Sequence, residues 1–136
     1  MMVAGFRYQK DQDTIIRALT LLPKNVQLCL VGDGDRRVEC KELVKRLNLE
    51  ERVVFTGVRS DIPNVLKAAD VVVMSSHLEG FGLAAVEGMA AGKPVVASDV
   101  VGLRDIVKNY GCVFPQGDER RLAEIVERLK NDSNFY

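Results

Sequence analysis

The sequence predicts an α/β protein with a doubly wound, Rossmann-like sheet of about six parallel strands in three α/β/α layers. Two observations predict this fold. Short apolar runs and helical patterns alternate six times along the 136 residues. The apolar runs, such as residues 71–74 and 94–97, are continuous instead of alternating with polar residues, which is typical of strands covered on both faces. We therefore expect one domain, residues 1–136.

Each predicted strand is followed by a segment with apolar residues at helical spacing. The strands cover residues 3–6, 26–31, 53–55, 71–74, 94–97 and 111–114. The helices cover residues 11–22, 38–48, 61–69, 83–91, 102–107 and 118–129. We expect the second helix to bury Val38, Leu43, Val44 and Leu47. Because a helical crossover connects each strand to the next, the strands are expected to pair in parallel.

Capping residues support the ends of these helices. Asp11 or Asp13 can cap the first helix, and Asp118 can cap the last. Pro63 suits the first turn of the third helix, because its missing N–H needs no partner there. Gly92 follows the fourth helix at a position where a left-handed residue is common. These signals make the predicted boundaries consistent with the apolar pattern.

The composition excludes several classes of function. Acidic and basic residues balance at 19 each, so nothing favours a nucleic acid as partner. Cys29, Cys40 and Cys112 are far apart and His77 is the single histidine, so we expect free thiols in a reducing compartment, with neither disulfides nor a metal site. No apolar run reaches the roughly 18 residues of a membrane span, and no signal peptide is evident. We expect a cytoplasmic protein, and peripheral contact of the full-length protein with the inner membrane face stays open.

A glycine-rich turn follows the fourth predicted strand, at the end of the sheet where such folds bind ligands. Gly80 and Gly82 remove side chains where the backbone turns into the fourth helix. The free amides of Phe81, Gly82 and Leu83 would then point outward with the helix dipole behind them. This arrangement predicts a site for a phosphate or diphosphate.

Two glutamates flank this turn. Glu79 stands before it and Glu87 lies within the helix, eight residues later. A carboxylate repels a phosphate but accepts hydrogen bonds from hydroxyl groups. The pair therefore predicts a ligand with phosphates in the middle and hydroxyl-bearing groups on both sides, which is a nucleoside diphosphate sugar. The alternative is a tight turn with solvent-exposed glutamates.

The spacing of Glu79 and Glu87 resembles the E-x7-E motif of retaining glycosyltransferases with GT-B architecture, the group 1 or family 4-like enzymes. The motif belongs to the C-terminal, donor-binding half of that family. The resemblance continues, in the family's order, through residues 31–34, 55–57, 68–71, 90–97 and 102–107. It implies a hexosyltransferase that moves a sugar from a UDP- or GDP-linked donor to an acceptor hydroxyl, with no metal and no cofactor.

The resemblance also implies roles for the residues around the turn. Glu79 would contact the donor sugar, and Glu87 the ribose hydroxyls. The amides of the turn between them would hold the diphosphate. These implied roles agree with the expectation from charge and geometry.

Arg7 and Lys10 follow the first predicted strand and would reach the same crevice. Two cations near a diphosphate would neutralise the leaving group, where negative charge grows during glycosyl transfer. The family has an arginine and a lysine in this role, but their separation here is shorter than in many members. Asp11 also stands where a glycine often follows the lysine, so Lys10 is the firmer candidate. A solvated polar loop is the alternative.

Three further features follow other strands. Gly57, Val58 and Arg59 would lie where the base should rest, since the family places its base on this loop and an arginine can stack on it. Arg59 as a plain surface charge is equally compatible. The glycines of residues 32–34 match the start of a dinucleotide fingerprint that lacks its third glycine, so we expect a tight turn there. His77, without an evident acidic partner, is expected to be a rim residue.

Residues at both ends suggest a domain of a longer protein. The first residues run directly into a predicted strand, and residues 131–136 end without an evident closing element. We therefore expect the donor-binding half of a two-domain enzyme, with the acceptor site on an N-terminal domain. Two alternatives remain, a non-catalytic nucleotide-binding module and another Rossmann-like enzyme such as an oxidoreductase or a sugar-nucleotide epimerase.

Overall fold

A computed structural model describes residues 1–132 and 134. The expectation about the end of the chain also concerns Ser133, Phe135 and Tyr136, which lie outside the described residues. The described part contains six strands and six α-helices in strict alternation. The strands are β1 (Met2–Val3), β2 (Leu28–Val31), β3 (Val53–Gly57), β4 (Val72–Met74), β5 (Val95–Ser98) and β6 (Cys112–Phe114). The helices are α1 (Gln12–Leu19), α2 (Arg37–Arg46), α3 (Ile62–Lys67), α4 (Leu83–Ala90), α5 (Arg104–Val107) and α6 (Glu119–Asn131).

All strand pairs are parallel and fall into two three-stranded sheets, β1-β2-β3 and β4-β5-β6. The two sheets meet at Met1, whose carbonyl accepts from the Val73 amide at 2.9 Å and whose amino group donates to the Val71 carbonyl at 2.8 Å. The strands therefore run in the order β3-β2-β1-β4-β5-β6, as in the doubly wound dinucleotide-binding folds. The predicted Rossmann-like architecture is confirmed.

Helices cover both faces of this sheet. On one face, α1, α2 and α6 pack on alternate strand residues that include Leu30, Val73 and Val96. On the other face, α3, α4 and α5 pack on the intervening residues, which include Val72 and Val95. Because neighbouring residues of β4 and β5 point to opposite apolar layers, these two central strands need apolar residues on both faces. This double burial explains the continuous valine runs of the sequence.

Several local predictions are confirmed. The Asp11 side chain accepts a hydrogen bond from the Thr14 amide at the start of α1, and Asp118 does the same for the amide of Arg121 in α6. Gly92 follows α4 with a φ of 74°. All three cysteines are free thiols.

Other predictions need correction. Val38 is 64% exposed, and the fully buried Cys40 instead shares the inner face of α2 with Leu43 and Val44. These three positions share one face because they are spaced by three and four residues, whereas Val38 lies on the opposite side. Strand β1 is shorter than the predicted residues 3–6, although the Phe6 amide still bonds to the Asp33 carbonyl beyond its end. Within the described residues, no helix is long and apolar enough to cross a bilayer.

Candidate functional site

Lys10 and Glu79 form an ion pair at the carboxyl end of the sheet. The Lys10 Nζ lies 2.9 Å from Oε1 and 2.8 Å from Oε2 of Glu79. Lys10 ends a 3₁₀ turn, Tyr8–Lys10, that follows β1, and Glu79 lies on the loop between β4 and α4. Their side chains are 25% and 10% exposed, respectively, so both reach a partly open crevice. The structure thus brings together two of the predicted catalytic residues.

Two serines and a glycine fix the loop that carries Glu79. The Ser76 hydroxyl donates to Glu79 Oε2 at 3.0 Å, and the buried Ser98 hydroxyl donates to the Ser76 carbonyl at 2.6 Å. Gly102 packs directly on the Glu79 backbone, since a Cβ there would lie 2.1 Å from the Glu79 carbonyl oxygen. These supporting residues were not predicted from the sequence, although the Ser75-Ser76 pair directly after an apolar strand was a visible signal.

The backbone around Lys10 is fastened to the same loop. The Ser75 hydroxyl donates to the Asp11 carbonyl at 2.7 Å, and the His77 amide donates to the Gln9 carbonyl at 2.8 Å. Asp11 adopts a left-handed conformation, with φ 51° and ψ 55°. Glycine favours that conformation and aspartate tolerates it, which accounts for an aspartate where the resembling family often has a glycine.

The glycine-rich turn ends at Gly82, which caps α4 with a φ of 72°. Among the described residues, none accepts a hydrogen bond from the amides of Phe81, Gly82 or Leu83. The first partnered amides of the helix are those of Ala85 and Val86, which donate to the Gly82 carbonyl. The start of α4 therefore has the unpaired donors that an anion site requires. The roles predicted for these residues and for Gly80 stay predictions.

Glu87 lies one turn into α4 and is partly exposed. The next residue, Gly88, lets this helix approach the sheet closely, because a Cβ there would meet Val72 and Val95 at 3.1 Å. The close approach packs the second half of α4 against the first residues of β4 and β5. The predicted contact of Glu87 with a ribose stays a prediction.

The proposed base-binding loop is open to solvent. Gly57 has a φ of 74°, and its carbonyl accepts from the Gly32 amide at 2.9 Å. Val58 is 79% exposed. Arg59 makes two hydrogen bonds to Asp61, at 2.9 and 2.7 Å, and this guanidinium lowers the pKa of the Asp61 carboxyl. The bidentate pair fixes the plane of the Arg59 guanidinium at the end of β3.

Arg7 is exposed and precedes the 3₁₀ turn in an extended conformation. Its Nε lies 3.7 Å from the point where a Cβ on Gly5 would be, so the side chain bends back along the loop. Gly32, after β2, packs against the residue that follows β1, since a Cβ there would lie 2.1 Å from the Ala4 carbonyl oxygen. The expected tight turn after the second strand is confirmed.

His77 requires a correction, because the structure gives it an acidic partner. Its Nε2 lies 3.4 Å from Asp11 Oδ2, and its Nδ1 lies 2.7 Å from the Gln116 side-chain nitrogen. Burial raises the pKa of the Asp11 carboxyl, and hydrogen bonds from Thr14 together with the charge of His77 partly oppose that shift. The contact was invisible in the sequence because the 3₁₀ turn and the loop after β4 are far apart in the chain.

Metal ligands do not cluster in the described part of the chain. No group of three or more histidine, cysteine, aspartate or glutamate side chains there is arranged to hold a metal ion. Lys10 and Glu79 form the ion pair of the crevice. Chemically, this crevice offers one ammonium group, one carboxylate and a set of free amides.

A sequence model of one protein family, described as glycosyl transferases group 1, matches residues 1–136. Glycosyltransferase MJ1607 of Methanocaldococcus jannaschii is 38% identical over 142 residues, which cover 99% of this chain and 36% of that protein. N-acetyl-alpha-D-glucosaminyl L-malate synthase of Bacillus anthracis is 29% identical over 138 residues, which cover 98% of this chain. The chain spans 36% of the length of both relatives.

Solved structures give the same picture. Anabaena HepE in complex with UDP-glucose has a TM-score of 0.90 at 36% identity, over 97% of this chain and 39% of that one. Sucrose-phosphate synthase from Thermosynechococcus elongatus has a TM-score of 0.88 at 34% identity, over 96% of this chain and 36% of that one. Both similarities extend over the whole Rossmann-like unit.

Proposed function

The chain belongs to the group 1 glycosyltransferases, and we propose that it is the donor-binding domain of such an enzyme. The donor would be a nucleoside diphosphate sugar linked to UDP or GDP, and the product would form on an acceptor hydroxyl. One observation carries this proposal. The Lys10–Glu79 pair lies at the strand ends, and Glu79 stands on the loop that leads into the unpaired amides at the start of α4.

The charges of this pair suit glycosyl transfer. When the bond between the sugar and the diphosphate breaks, negative charge grows on the departing phosphate oxygens. An ammonium group has three donors, and two of those on Lys10 are directed at Glu79. The third can serve a phosphate oxygen while the pair persists. Lys10 would thus stabilise the leaving group, with Arg7 as a second cation at the same loop.

Glu79 would bind the donor sugar, next to the phosphate that Lys10 contacts. Its two oxygens accept from Lys10 and Ser76 and can also accept from sugar hydroxyls, because a carboxylate has about four lone-pair positions. The amides of Phe81, Gly82 and Leu83 would hold the diphosphate, and Glu87 the ribose. The base would rest against Gly57 and Val58 with Arg59 beside it.

We further propose a retaining and metal-independent reaction, in which the E-x7-E pair of Glu79 and Glu87 is functional. Support comes from the chemistry of the crevice, where an ammonium group and helix-start amides can supply the positive charge that a diphosphate needs. The acceptor hydroxyl would attack on the face from which the nucleotide departs. We propose that a separate domain of a longer protein binds the acceptor, in line with the 36% of the relatives' length that this chain spans.

UDP-linked sugars are the first donors to test, because the structural neighbour HepE is seen with UDP-glucose. Calorimetry on the purified chain should detect UDP-glucose and UDP binding without added metal, unchanged by EDTA. Glu87→Ala should weaken both by about tenfold, the loss expected for a hydrogen bond to a charged group. Lys45→Met, an exposed change on α2, is the control for folding and should bind as the wild type does.

Three outcomes would contradict the proposal in different ways. Absence of binding to UDP, GDP and their sugars by a folded sample would exclude a donor-binding domain. Tighter binding of NAD than of every nucleoside diphosphate would favour an oxidoreductase or epimerase. Binding that occurs only after a divalent cation is added would exclude a metal-independent reaction.

A further inference from the structure

The two halves of the proposed donor site belong to loops that are far apart in sequence. Lys10 precedes α1 and Glu79 precedes α4, 69 positions later in the sequence. Their side chains can meet within 3 Å only if the two loops hold a fixed relative position. Outside the pair itself, the His77 amide and the Ser75 hydroxyl donate to backbone carbonyls of the Lys10 loop, and the His77 ring adds a contact between side chains.

The His77 ring joins the two loops. Its ring faces the Tyr8 ring, with centroids 5.3 Å apart, and its Nε2 faces the Asp11 carboxylate. Its Nδ1 meets the side chain of Gln116, on the turn after β6. One side chain therefore touches the loop of Lys10, extends from the loop of Glu79 and is held in place by a third loop.

The charges around this contact favour a proton on Nε2. With the Gln116 amide donating to Nδ1, the ring nitrogen that faces Asp11 carries the hydrogen. Asp13, Arg17 and Arg36 line the same cavity of about 280 Å³, and Arg36 is paired with Asp13 at 3.0 Å. The imidazole therefore directs its N–H at the carboxylate of Asp11, which is buried.

We propose that His77 is a positioning residue that acts through Asp11 to keep Lys10 in register with Glu79. This inference rests on the proposed donor site. His77 does not act as a general base, because both ring nitrogens are committed to protein partners. A donor would be bound by Lys10 and Glu79, and His77 would set the distance between their loops.

Replacement of His77 by asparagine or by glutamine distinguishes the contact at Nδ1 from the contact at Nε2. A glutamine amide reaches the position of Nε2 and can still donate to Asp11, whereas an asparagine amide reaches only the position of Nδ1. His77→Asn should weaken UDP-glucose binding by about tenfold, as for a lost hydrogen bond to a charged group. His77→Gln should restore it to within about twofold of the wild type. Circular dichroism melts of both variants establish that they are folded.

The sole histidine also permits a direct measurement on the unmodified protein. In ¹⁵N-edited NMR, the imidazole signals should show a proton on Nε2, and they should keep that proton when UDP-glucose binds. A neutral ring protonated on Nδ1, or equal losses of affinity in His77→Asn and His77→Gln, would overturn the inference. So would wild-type affinity in His77→Asn.

Lys10→Met distinguishes failure of this inference from failure of the proposed function. If Lys10→Met loses UDP-glucose affinity and His77→Asn does not, the donor site stands and the positioning role is wrong. If Lys10→Met binds UDP-glucose as the wild type does, the proposed donor site itself is wrong.

Discussion

The Lys10 ammonium and the Glu79 carboxylate meet at 2.8 and 2.9 Å across a separation of 69 residues. The pair joins the first strand–helix unit of the sheet to the fourth, at the point where the strand order reverses. Because both groups are mostly buried, each compensates for the other's lost hydration. The same contact therefore serves the fold and the proposed site.

Replacement of Lys10 by methionine should destabilise the protein. The change leaves the Glu79 carboxylate, only 10% exposed, with the Ser76 hydroxyl as its remaining partner. A loss of about 1 to 3 kcal/mol in the free energy of unfolding is expected for an uncompensated, largely buried charge. Urea denaturation at neutral pH measures it, with Lys45→Met as the matched control. A loss no larger than that of the control would mean that the pair contributes nothing to stability.

Gly82→Ala tests whether the turn before α4 depends on its backbone conformation. A Cβ at this residue would lie 2.9 Å from Leu103 Cδ2 and 3.2 Å from the Gly102 carbonyl oxygen, at a φ of 72°. Strain and overlap together should lower the free energy of unfolding by about 2 to 4 kcal/mol. UDP-glucose affinity should also fall, because the amides that follow would shift.

Gly92→Ala is the control for this change. Gly92 has nearly the same φ, 74°, but a Cβ there would meet nothing within 4 Å. Gly92→Ala should lower the free energy of unfolding by about 1 kcal/mol, because only the left-handed conformation of the alanine is unfavourable. Equal losses in both variants, measured by urea denaturation, would show that the crowding at Gly82 has no effect.

The sequence predicted the alternation of strands and helices because the physical signals are local. Continuous valine runs, a capping aspartate such as Asp118 and a terminating glycine such as Gly92 each act within a few residues. Strand ends were less well predicted, since β1 is defined by where its partner β2 runs. Val38 was misplaced because Cys40, Leu43 and Val44 form the inner face of α2 at spacings of three and four residues, and Val38, two residues before Cys40, points to the opposite side.

The candidate site was predicted only in part. Residues next to a glycine-rich turn could be found from the sequence, because the turn and its helix are contiguous. The contact between His77 and Asp11 could not, since it depends on the relative position of two loops. The left-handed conformation of Asp11 was equally hidden, because aspartate only tolerates that region.

The Cys40 thiol should be inert in the folded protein. Burial raises the pKa of this thiol to about 12, and the Asp13 carboxylate, whose Oδ1 lies 3.7 Å from the Cys40 Sγ, adds to the shift. The reactive thiolate is then nearly absent at pH 8. Reaction with a thiol reagent, followed by mass spectrometry, should label Cys29 and Cys112 first and Cys40 only as fast as the protein unfolds. Denaturant should make all three react alike, and early labelling of Cys40 in native conditions would contradict the prediction.

Asp11 should make stability depend on pH in a defined direction. Burial raises the pKa of its carboxyl in the folded protein above the ordinary 3.8. A raised carboxyl pKa contributes stability that is complete below the unfolded value and is lost as the pH rises through the folded value. Asp11→Asn removes the titration, and asparagine retains both the left-handed conformation and the capping acceptor. Relative to the wild type, the variant should therefore be more stable at pH 7 than at pH 4.

Urea denaturation gives the free energy of unfolding of both proteins at pH 4 and pH 7. The difference between variant and wild type is then compared between the two pH values. Loss of the contact with His77 lowers the stability of the variant, so the sign of the change between pH 4 and pH 7 is the decisive quantity. The exposed Asp35→Asn controls for the replacement of a carboxylate by an amide. A difference between Asp11→Asn and the wild type that stays constant across this range would show that the Asp11 carboxyl has the same pKa in the folded and unfolded chain. The left-handed aspartate would then be explained by capping of α1 alone.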